Sequence, residues 1–437
     1  MYRVQRRGAM DRPTHNSLQY LTRVKPHHIQ REPWLVDQYA FDALLDLLQS
    51  DVVDEFGAYT RSFYTLEGHY SNLWNYDQKI VPKPDDPVLK EAIRLASRAF
   101  RLPYPVTSIN WTALKTVPFI STSSAGWGYV GKKGENDNHE RAINKVVSSL
   151  NWWIEGQEGT NTPFLYRPDL AWTRTQMGTF EGPKIRHVWG EAFENVILEG
   201  MSAAPLIEAY QIKGEPMTIG LHLYKRLPSI INRALSTADE QRIAVGLDIK
   251  SFDSTVQPWL IRECFSIIRE NLRFPGYMEE KAFEYSIEHF IRRPVVMPDG
   301  RMWLKQMGVP SGSYYTQLVD SIANLIAVYY AQLKIYERTF ETWVLGDDSI
   351  FGIPLDLPHP ILEEFATHLH TLGFTLSTTK CEIATRADQM VYLGHSARGT
   401  RVSRDTADMM RLALYPETPV TGPAMSIARI KGLFSNN

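Results

Sequence analysis

Three groups of polar residues in the second half of the chain have types and spacings suited to metal and phosphate chemistry. The first holds Asp248 and Asp253, the second is the run Ser311-Gly-Ser-Tyr-Tyr-Thr316, and the third is Gly346-Asp-Asp348. Each group alone is weak evidence, because paired aspartates recur by chance and Gly-Asp-Asp is also an ordinary solvated turn. All three in this order are much rarer by chance, which favours a shared chemical role.

Asp248, Asp347 and Asp348 are the candidates for a metal-dependent reaction. Two-metal phosphoryl transfer places two divalent ions about 3.5–4 Å apart, one on the attacking oxygen and one on the leaving group. Mg²⁺ prefers hard carboxylate oxygens, and crowded carboxylates without a cation would repel one another. These residues therefore predict a cradle for two Mg²⁺ ions, with Mn²⁺ as an alternative ion, rather than part of a core.

The elements around these groups are predicted to bring them together. Residues 242–249 read as a buried strand, and a helix is predicted from Pro258. The loop GVPSGS precedes a second helix, and the apolar runs TWVL and SIFGI on either side of Gly-Asp-Asp predict a hairpin. A helix ending at Gly373 and a strand at MVYLGH follow. This alternation predicts an α+β fold in which helices pack on one face of a sheet.

The three groups resemble motifs A, B and C of viral RNA-dependent RNA polymerases. The string GVPSGSYYTQLVDSIANL, together with GDDS, is most similar to the partitivirus group, with picobirnavirus polymerases near by. The resemblance covers residues from about 120 to 400 and implies a right-hand fold with an antiparallel palm sheet. It implies the following division: N-terminal arm and fingers at 1–240, palm at 241–262, fingers insertion at 263–305, palm at 306–398 and small thumb at 399–437.

The resemblance also implies roles for single residues. Asp248, Asp347 and Asp348 would be the metal ligands, and Asp253 would read the ribose 2′-hydroxyl. Ser311 and Gly312 would seat the template and primer, and Thr316 would support ribose selection. The family often has Asn four residues after that Thr, where this chain has Asp320, and an Asn comes only at Asn324. Because two carboxylates in contact would repel, we expect Asn324 to hold Asp253 and Asp320 to face elsewhere.

Further segments resemble other motifs of the same family. Lys184 and Arg186, joined by Arg174, resemble the basic residues that grip the triphosphate, since Arg offers a planar donor fork for phosphate. Lys380 resembles the lysine that protonates the departing pyrophosphate, which would make it catalytic. Two shorter matches are Ser123, Ser124 and Gly126 at the template entry, and Tyr392-Leu-Gly394 at the primer-side turn.

Composition limits the remaining classes. The chain has 437 residues, enough for two or three subdomains, and a net charge of -2 from 47 basic and 49 acidic residues. A uniformly basic nucleic-acid coat is therefore excluded, and an RNA path must be a local lining, for which the basic first 31 residues are a candidate. The two cysteines suggest neither a disulfide framework nor a zinc site. We predict no signal peptide and no membrane span for this sequence.

The predicted function is template-directed RNA synthesis that replicates and transcribes a viral RNA genome, expected to be double-stranded. Its partners would be RNA template and product and ribonucleoside triphosphates, with a viral capsid protein left open. The expected location is the virion interior or the host cytoplasm. A reverse transcriptase is the alternative, but those enzymes have a bulky residue where Asp253 stands and an aromatic residue near Gly346. A non-catalytic RNA-binding protein is disfavoured because all three carboxylates are present.

Overall fold

The computed structural model of the protein describes residues 15, 17–27, 36–47, 59–61, 65–154, 167–174, 176–179 and 186–434. Its strands, in chain order, are β1 Leu18–Arg23, β2 Tyr59–Arg61, β3 Val106–Thr107, β4 Asp169–Arg174, β5 Met177–Thr179, β6 Arg186–Gly190, β7 Arg242–Leu247, β8 Leu272–Arg273, β9 Arg293–Val296, β10 Arg301–Lys305, β11 Thr342–Leu345, β12 Asp348–Pro354, β13 Glu382–Ala384, β14 Ser396–Arg398 and β15 Arg401–Ser403. Its α-helices are α1 Gln38–Leu47, α2 Leu66–Trp74, α3 Pro87–Phe100, α4 Asn138–Ile154, α5 Phe193–Lys213, α6 Leu223–Leu235, α7 Phe252–Thr255, α8 Pro258–Glu270, α9 Tyr277–Ile291, α10 Thr316–Tyr336, α11 Leu362–Thr371, α12 Thr406–Leu414 and α13 Pro423–Phe434.

The central sheet has the strand order β11-β12-β7-β13, and its neighbours are antiparallel. The predicted buried strand, the helix starting at Pro258 and the hairpin around Gly346 are all present. Helix α10 lies against this sheet and is buried along nearly its whole length, from Leu318 to Gln332. The sheet and α10 together form the frame from which the acidic residues project.

Helices cover both faces of the central sheet, so the expectation of helices on one face is wrong. Successive strand residues alternate between two cores: Val245 packs with the core of α10 and α11, while Ala244 packs with Ile230 and Ile231 of α6. Trp343 and Val344 divide in the same way. The physical reason lies in the strands themselves, since uninterrupted apolar runs are typical of strands buried on both faces.

A second sheet has the order β1-β10-β9-β4-β6. It joins strands from the N-terminal half of the chain to β9 and β10, which belong to the predicted fingers insertion at 263–305. The predicted N-terminal arm contains a strand that the sequence analysis did not predict, β1, which pairs antiparallel with β10. Only Leu18 of β1 is fully buried, so this edge strand has too little apolar alternation to be seen in the sequence.

The C-terminal part contains the two short helices α12 and α13, which contact the N-terminal helix α1. The buried carboxylate of Asp37 joins them: it accepts from Ser426 Oγ at 2.7 Å and from Arg429 Nη2 at 2.5 Å. The strand predicted at MVYLGH is wrong. Leu393 and Gly394 have φ of 52° and 73°, so the chain turns there and Tyr392 bridges only to His395. Among the described residues, no helix combines the length and apolarity needed to cross a membrane.

Candidate active site

The ends of β7 and β12 bring the first and third acidic groups together. These strands are antiparallel, with Leu247 opposite Ser349. Asp248 follows Leu247 and Asp348 precedes Ser349, so the same register places the two aspartates side by side. Gly346 and Asp347 form the two-residue turn of the β11–β12 hairpin, and Leu345 pairs with Asp348 across it. Gly346 has φ of 62°, a value that glycine adopts without strain in such turns.

Helix α10 holds the backbone of this turn from behind. Gly346 is buried, and its N–H donates to Ser321 Oγ at 2.9 Å. Its carbonyl oxygen accepts from Asn324 Nδ2 at 3.0 Å. Ser321 and Asn324 are three residues apart and therefore share one face of α10. Both polar groups of the residue before the paired aspartates are thus fixed by side chains from a rigid helix.

The carboxylates in this region affect one another strongly. The pKa of Asp348 is raised to about 6, first because surrounding protein limits its hydration, and then because Asp347 and Asp248 carry like charge. Burial also raises the pKa of Asp253 and of Asp320, and Asp347 adds to both effects. A group of hard oxygen donors that resists losing its protons fits divalent cations, since a cation would replace those protons.

Asp253 is connected to the loop that precedes α10. Its side-chain Oδ2 accepts from Ser311 Oγ at 2.5 Å, and its backbone carbonyl accepts from Val309 N at 2.6 Å. Gly312, which follows Ser311, has φ of 132°, and a Cβ added there would lie 2.4 Å from the carbonyl oxygen of Trp189. Only glycine fits so close to the β6 backbone, which places the loop directly against the strand that begins at Arg186.

The expected supports of Asp253 are wrong on two points. Asn324 gives its amide hydrogen to Gly346, and the hydroxyl that reaches Asp253 belongs to Ser311. Asp320 is not remote from these acids: burial and then the charges of Asp253 and Asp347 raise its pKa, so it lies within electrostatic reach of both. The repulsion on which the expectation rested is relieved, because a raised pKa favours the uncharged carboxyl.

Thr316 lies at the start of α10 and bonds to the loop that precedes this helix. Its Oγ1 donates to the carbonyl oxygen of Pro310 at 2.8 Å and accepts from Gly312 N at 3.4 Å. Thr316 therefore closes the loop on itself at the start of α10. Its link to Asp253 runs through the loop and through Ser311.

The predicted basic segment lies beside the acidic cluster. Arg186 begins β6 and pairs with Arg174 at the end of β4, so the two arginines share one end of this antiparallel strand pair. The positive charge of Arg186 opposes the rise in the pKa of both Asp253 and Asp348, which places it within electrostatic reach of each. Lys184, the third predicted basic residue, lies outside the described residues.

Lys380 lies in an exposed turn before β13, beside the backbone of Asp248. Its N–H donates to the carbonyl oxygen of Ser377 at 2.8 Å, and Ser377 N donates to the carbonyl oxygen of Asp248 at the same distance. The following residue, Cys381, accepts from Asp248 N through its sulfur at 3.3 Å. The turn that carries Lys380 is thus attached to the first acidic residue.

The two shorter motifs occupy the surroundings of this centre. Gly126 has φ of 76°, and a Cβ added there would lie 2.3 Å from the carbonyl oxygen of Glu191, just after β6. Ser123 Oγ accepts from Lys133 Nζ at 2.8 Å within the same loop. Tyr392 is buried, and its hydroxyl lies 2.8 Å from Thr218 Oγ1.

A second, buried group of charged residues was missed from the sequence. Glu191, Glu199 and His289 offer ligand atoms that lie within 4.8 Å of one another. Arg293 Nη2 contacts all three, at 2.7 Å, 2.6 Å and 3.0 Å, so its guanidinium takes the position that a metal ion would need. The one signal in the sequence is the presence of charged residues inside apolar runs such as ENVILEGM and IRRPVV.

Comparison with known proteins gives a consistent result. A model of the family described as viral RNA-dependent RNA polymerase matches residues 48–436. The RNA-directed RNA polymerase of Cryptosporidium parvum virus 1 is 32% identical over 148 residues, which are 32% of this chain and 27% of that protein. The RNA-directed RNA polymerase of White clover cryptic virus 1 is 23% identical over 295 residues, or 61% of this chain and 48% of that protein. The matched part is thus less than half of either relative.

Solved structures show a similar fold. The RNA-dependent RNA polymerase of a human picobirnavirus superposes with a TM-score of 0.70 and 16% identity, covering 93% of this chain and 82% of that chain. A Sicinivirus 3Dpol RNA-dependent RNA polymerase superposes with a TM-score of 0.73 and 12% identity, covering 96% of this chain and 94% of that chain. At these identities the likeness concerns the fold, which is the right-hand arrangement expected from the motifs.

Proposed function

The chain belongs to the viral RNA-dependent RNA polymerase family, and on that premise we propose that it synthesises RNA on an RNA template by two-metal nucleotidyl transfer. The observation that carries the proposal is the convergence of Asp248, Asp347 and Asp348 at adjacent strand ends. The raised pKa of Asp348 supports it, because the nearby like charges that contribute to it would be neutralised by bound cations.

Asp248, Asp347 and Asp348 would hold two Mg²⁺ ions, with Mn²⁺ as an alternative. When bound, such ions would activate the attacking 3′-oxygen and neutralise charge on the leaving pyrophosphate. The protein's own part is to keep the three carboxylates in place, and Ser321 and Asn324 do so through the two polar groups of Gly346. Fixed ligands need no rearrangement when the reaction begins.

The basic residues near the strand-end acids would bind the triphosphate of the nucleotide. Arg186 lies within electrostatic reach of Asp348 and Asp253, which suits a group that grips a triphosphate between metal and sugar sites. Arg174 pairs with it on the neighbouring strand β4, and Lys184 is proposed from its sequence position alone. Lys380 would donate a proton to the pyrophosphate from the turn attached to Asp248.

Asp253 would accept a hydrogen bond from the ribose 2′-hydroxyl, with Ser311 holding its carboxylate. Gly312 would let the loop approach the template and primer, and Thr316 would keep the loop closed. Asn324 would act on the metal ligands through Gly346, and thus only indirectly on the nucleotide.

The biological setting is proposed from the relatives. The chain would replicate and transcribe a viral RNA genome that is double-stranded, within a virion or in the host cytoplasm, with a capsid protein as a further partner. The divisions at 1–240, 241–262, 263–305, 306–398 and 399–437 are proposed as arm and fingers, palm, fingers insertion, palm and thumb. The shared sheet of β9, β10, β4 and β6 supports grouping 263–305 with the fingers.

The decisive experiment measures incorporation of labelled ribonucleotides by the purified full chain on primed and unprimed RNA templates with Mg²⁺. Template-dependent RNA of the expected complementary sequence is the predicted product. Incorporation of deoxynucleotides in preference to ribonucleotides would indicate a reverse transcriptase. RNA binding without any incorporation, under conditions where a related viral polymerase is active, would overturn the proposal.

A further inference from the structure

Glu199 lies in the middle of α5, is almost fully buried and contacts the loop before α10. One carboxylate oxygen, Oε1, accepts from Arg293 Nη2 at 2.6 Å. The other, Oε2, accepts from Ser313 Oγ at 2.5 Å and from the backbone N–H of Tyr314 at 2.9 Å. Every one of these donors comes from another part of the chain, so Glu199 joins α5, β9 and the loop at a single point.

Ser313 adds a second function at the same point. While its hydroxyl donates to Glu199, it also accepts from Tyr315 N at 3.1 Å. This contact lies at the start of α10, where backbone N–H groups have no partner within the helix. By bonding to both Glu199 and Tyr315 N, Ser313 fixes the conformation of the loop between Pro310 and Thr316.

The conformation of this loop determines where Ser311 points. Ser311 donates its hydroxyl to Asp253 Oδ2, while its carbonyl oxygen accepts from Trp189 N at 2.9 Å. Ser313 is two residues further along, so any shift of Ser313 and Tyr314 is transmitted to Ser311 over a very short span of chain. The hydroxyl of Ser311 is thus the side-chain donor that orients the Asp253 carboxylate.

A neutral residue would not hold the loop in the same way. A charged acceptor makes shorter and stronger hydrogen bonds than a neutral one, and Arg293, also fully buried, balances its charge. Arg293 in turn is fixed by Glu191 and Asp169. The position of Glu199 is therefore set by a buried network that does not itself reach the acidic centre.

We propose that Glu199 is a positioning residue for ribonucleotide selection: through Ser313 and Tyr314 it sets the loop so that Ser311 holds Asp253 toward the 2′-hydroxyl. The inference rests on the proposed polymerase function and deepens it. Glu199 touches neither nucleotide nor metal ligands, and its effect on the sugar passes through two hydrogen bonds of the loop.

The test compares kcat/KM for ATP and dATP in single-nucleotide addition on a primed RNA template with Mg²⁺. The main variant is Ser313→Ala, which leaves the ion pair of Glu199 and Arg293 intact. A second variant, Glu199→Gln, keeps the side-chain length but offers only one acceptor oxygen to the donors on both sides. Glu199→Ala is avoided because it would leave the Ser313 hydroxyl and the Tyr314 N–H without their buried acceptor, and the resulting loss of stability would obscure the test.

Ser286→Ala is the matched control. Ser286 is a buried serine whose hydroxyl donates to Ala282 O within its own helix at 2.8 Å. It tests whether the loss of any buried hydroxyl alters sugar choice. General destabilisation lowers the active fraction for both nucleotides alike and leaves the ATP to dATP ratio unchanged.

In Ser313→Ala we expect the preference for ATP over dATP to fall by about tenfold, the effect of one lost hydrogen bond to a charged group. Glu199→Gln should lower it in the same direction, and Ser286→Ala should keep the wild-type ratio. Absence of RNA-templated synthesis by the wild-type chain would refute the proposed function itself. If the wild-type chain is active and selective but Ser313→Ala keeps its selectivity, the inference about Glu199 is wrong while the polymerase function stands.

Discussion

Two groups of acidic residues in this protein show opposite electrostatic designs. In the buried network, Asp169, Glu191 and Glu199 surround Arg293, which contacts each of them within 3.4 Å. At the strand ends, Asp248, Asp347 and Asp348 face one another, with Arg186 as a nearby positive charge rather than a direct partner. The first group carries its cation within the fold, and the second leaves the position of a cation to be filled from solution.

The difference shows why acid density alone does not identify a metal site. Glu191, Glu199 and His289 lie close enough together to hold an ion, yet Arg293 already occupies their centre. Among the residues that the structure describes, no guanidinium lies at the centre of the strand-end cluster. Burial, and then the like charges of Asp347 and Asp248, raise the pKa of Asp348 to about 6. An internal cation makes an acidic cluster a structural element, whereas unbalanced carboxylates at a surface are able to bind ions from solution.

The largest effect is expected from removing a carboxylate of the strand-end cluster. Asp347→Ala or Asp248→Ala should reduce nucleotide incorporation by several orders of magnitude, because the proposed metal ligands are lost. The melting curve should stay unchanged, since a repelling charge has been removed and no buried pair is broken. Asp356→Ala, in the exposed turn after β12, is the control and should keep wild-type activity. Near-normal incorporation by Asp347→Ala would show that the strand-end cluster is not the catalytic centre.

In the buried network around Arg293, the expected loss is one of stability. Arg293→Met should lower the free energy of unfolding by about 3–5 kcal/mol, because three buried acids lose their shared cation. The control is Arg262→Met, which breaks the exposed pair with Glu288 and should cost less than about 1 kcal/mol. Urea unfolding of both variants measures the difference. Equal stability losses would contradict the distinction between a buried network and a surface pair.

A smaller effect is expected at Arg186, the positive charge near the strand-end cluster. Arg186→Ala should raise KM for ribonucleotides by about tenfold, the value of one charge-assisted phosphate contact, while RNA affinity changes less. Arg98→Ala, an exposed arginine of α3 far along the chain, serves as the control. Steady-state kinetics and filter binding separate the two quantities. Loss of RNA binding at unchanged nucleotide KM would assign Arg186 to the RNA path instead.

The smallest effect concerns pH. The pKa of Asp348 is about 6 in the folded protein and 3.8 in a model peptide, so the folded state binds the proton more tightly. The contribution of Asp348 to the free energy of unfolding is then fully present below pH 3.8 and is lost as pH rises through about 6. Mg²⁺ affinity should change in the opposite sense and strengthen as pH rises through 6.

Calorimetric Mg²⁺ titrations in two buffers of different ionisation enthalpy measure this coupling. Up to about one proton should be released near the pKa of Asp348. Asp348→Asn should abolish that proton release. Proton release that persists in Asp348→Asn would show that Asp348 is not the group that exchanges its proton for Mg²⁺.

The sequence by itself determined the local features of the catalytic region. The buried strand before Asp248, the hairpin around Gly346 and the loop-to-helix junction at Ser311 are each encoded by contiguous residues with the periodicity and turn chemistry of their structure. The family followed from the order of these three signals, and the match of residues 48–436 confirms it. Such inferences succeed because neighbours in sequence decide local conformation.

Only the tertiary structure decided which side chains meet. Asp320 and Asn324 are four residues apart on one helix, so periodicity puts both on the same face and does not choose between them. The choice depends on how α10 lies against the hairpin, which gives the Asn324 amide to Gly346 and leaves Asp320 within electrostatic reach of Asp253 and Asp347. The contact of Glu199 with Ser313 spans 114 positions of the chain. Contacts over such separations arise from the packing of whole elements, and the pattern of nearby residues carries no record of them.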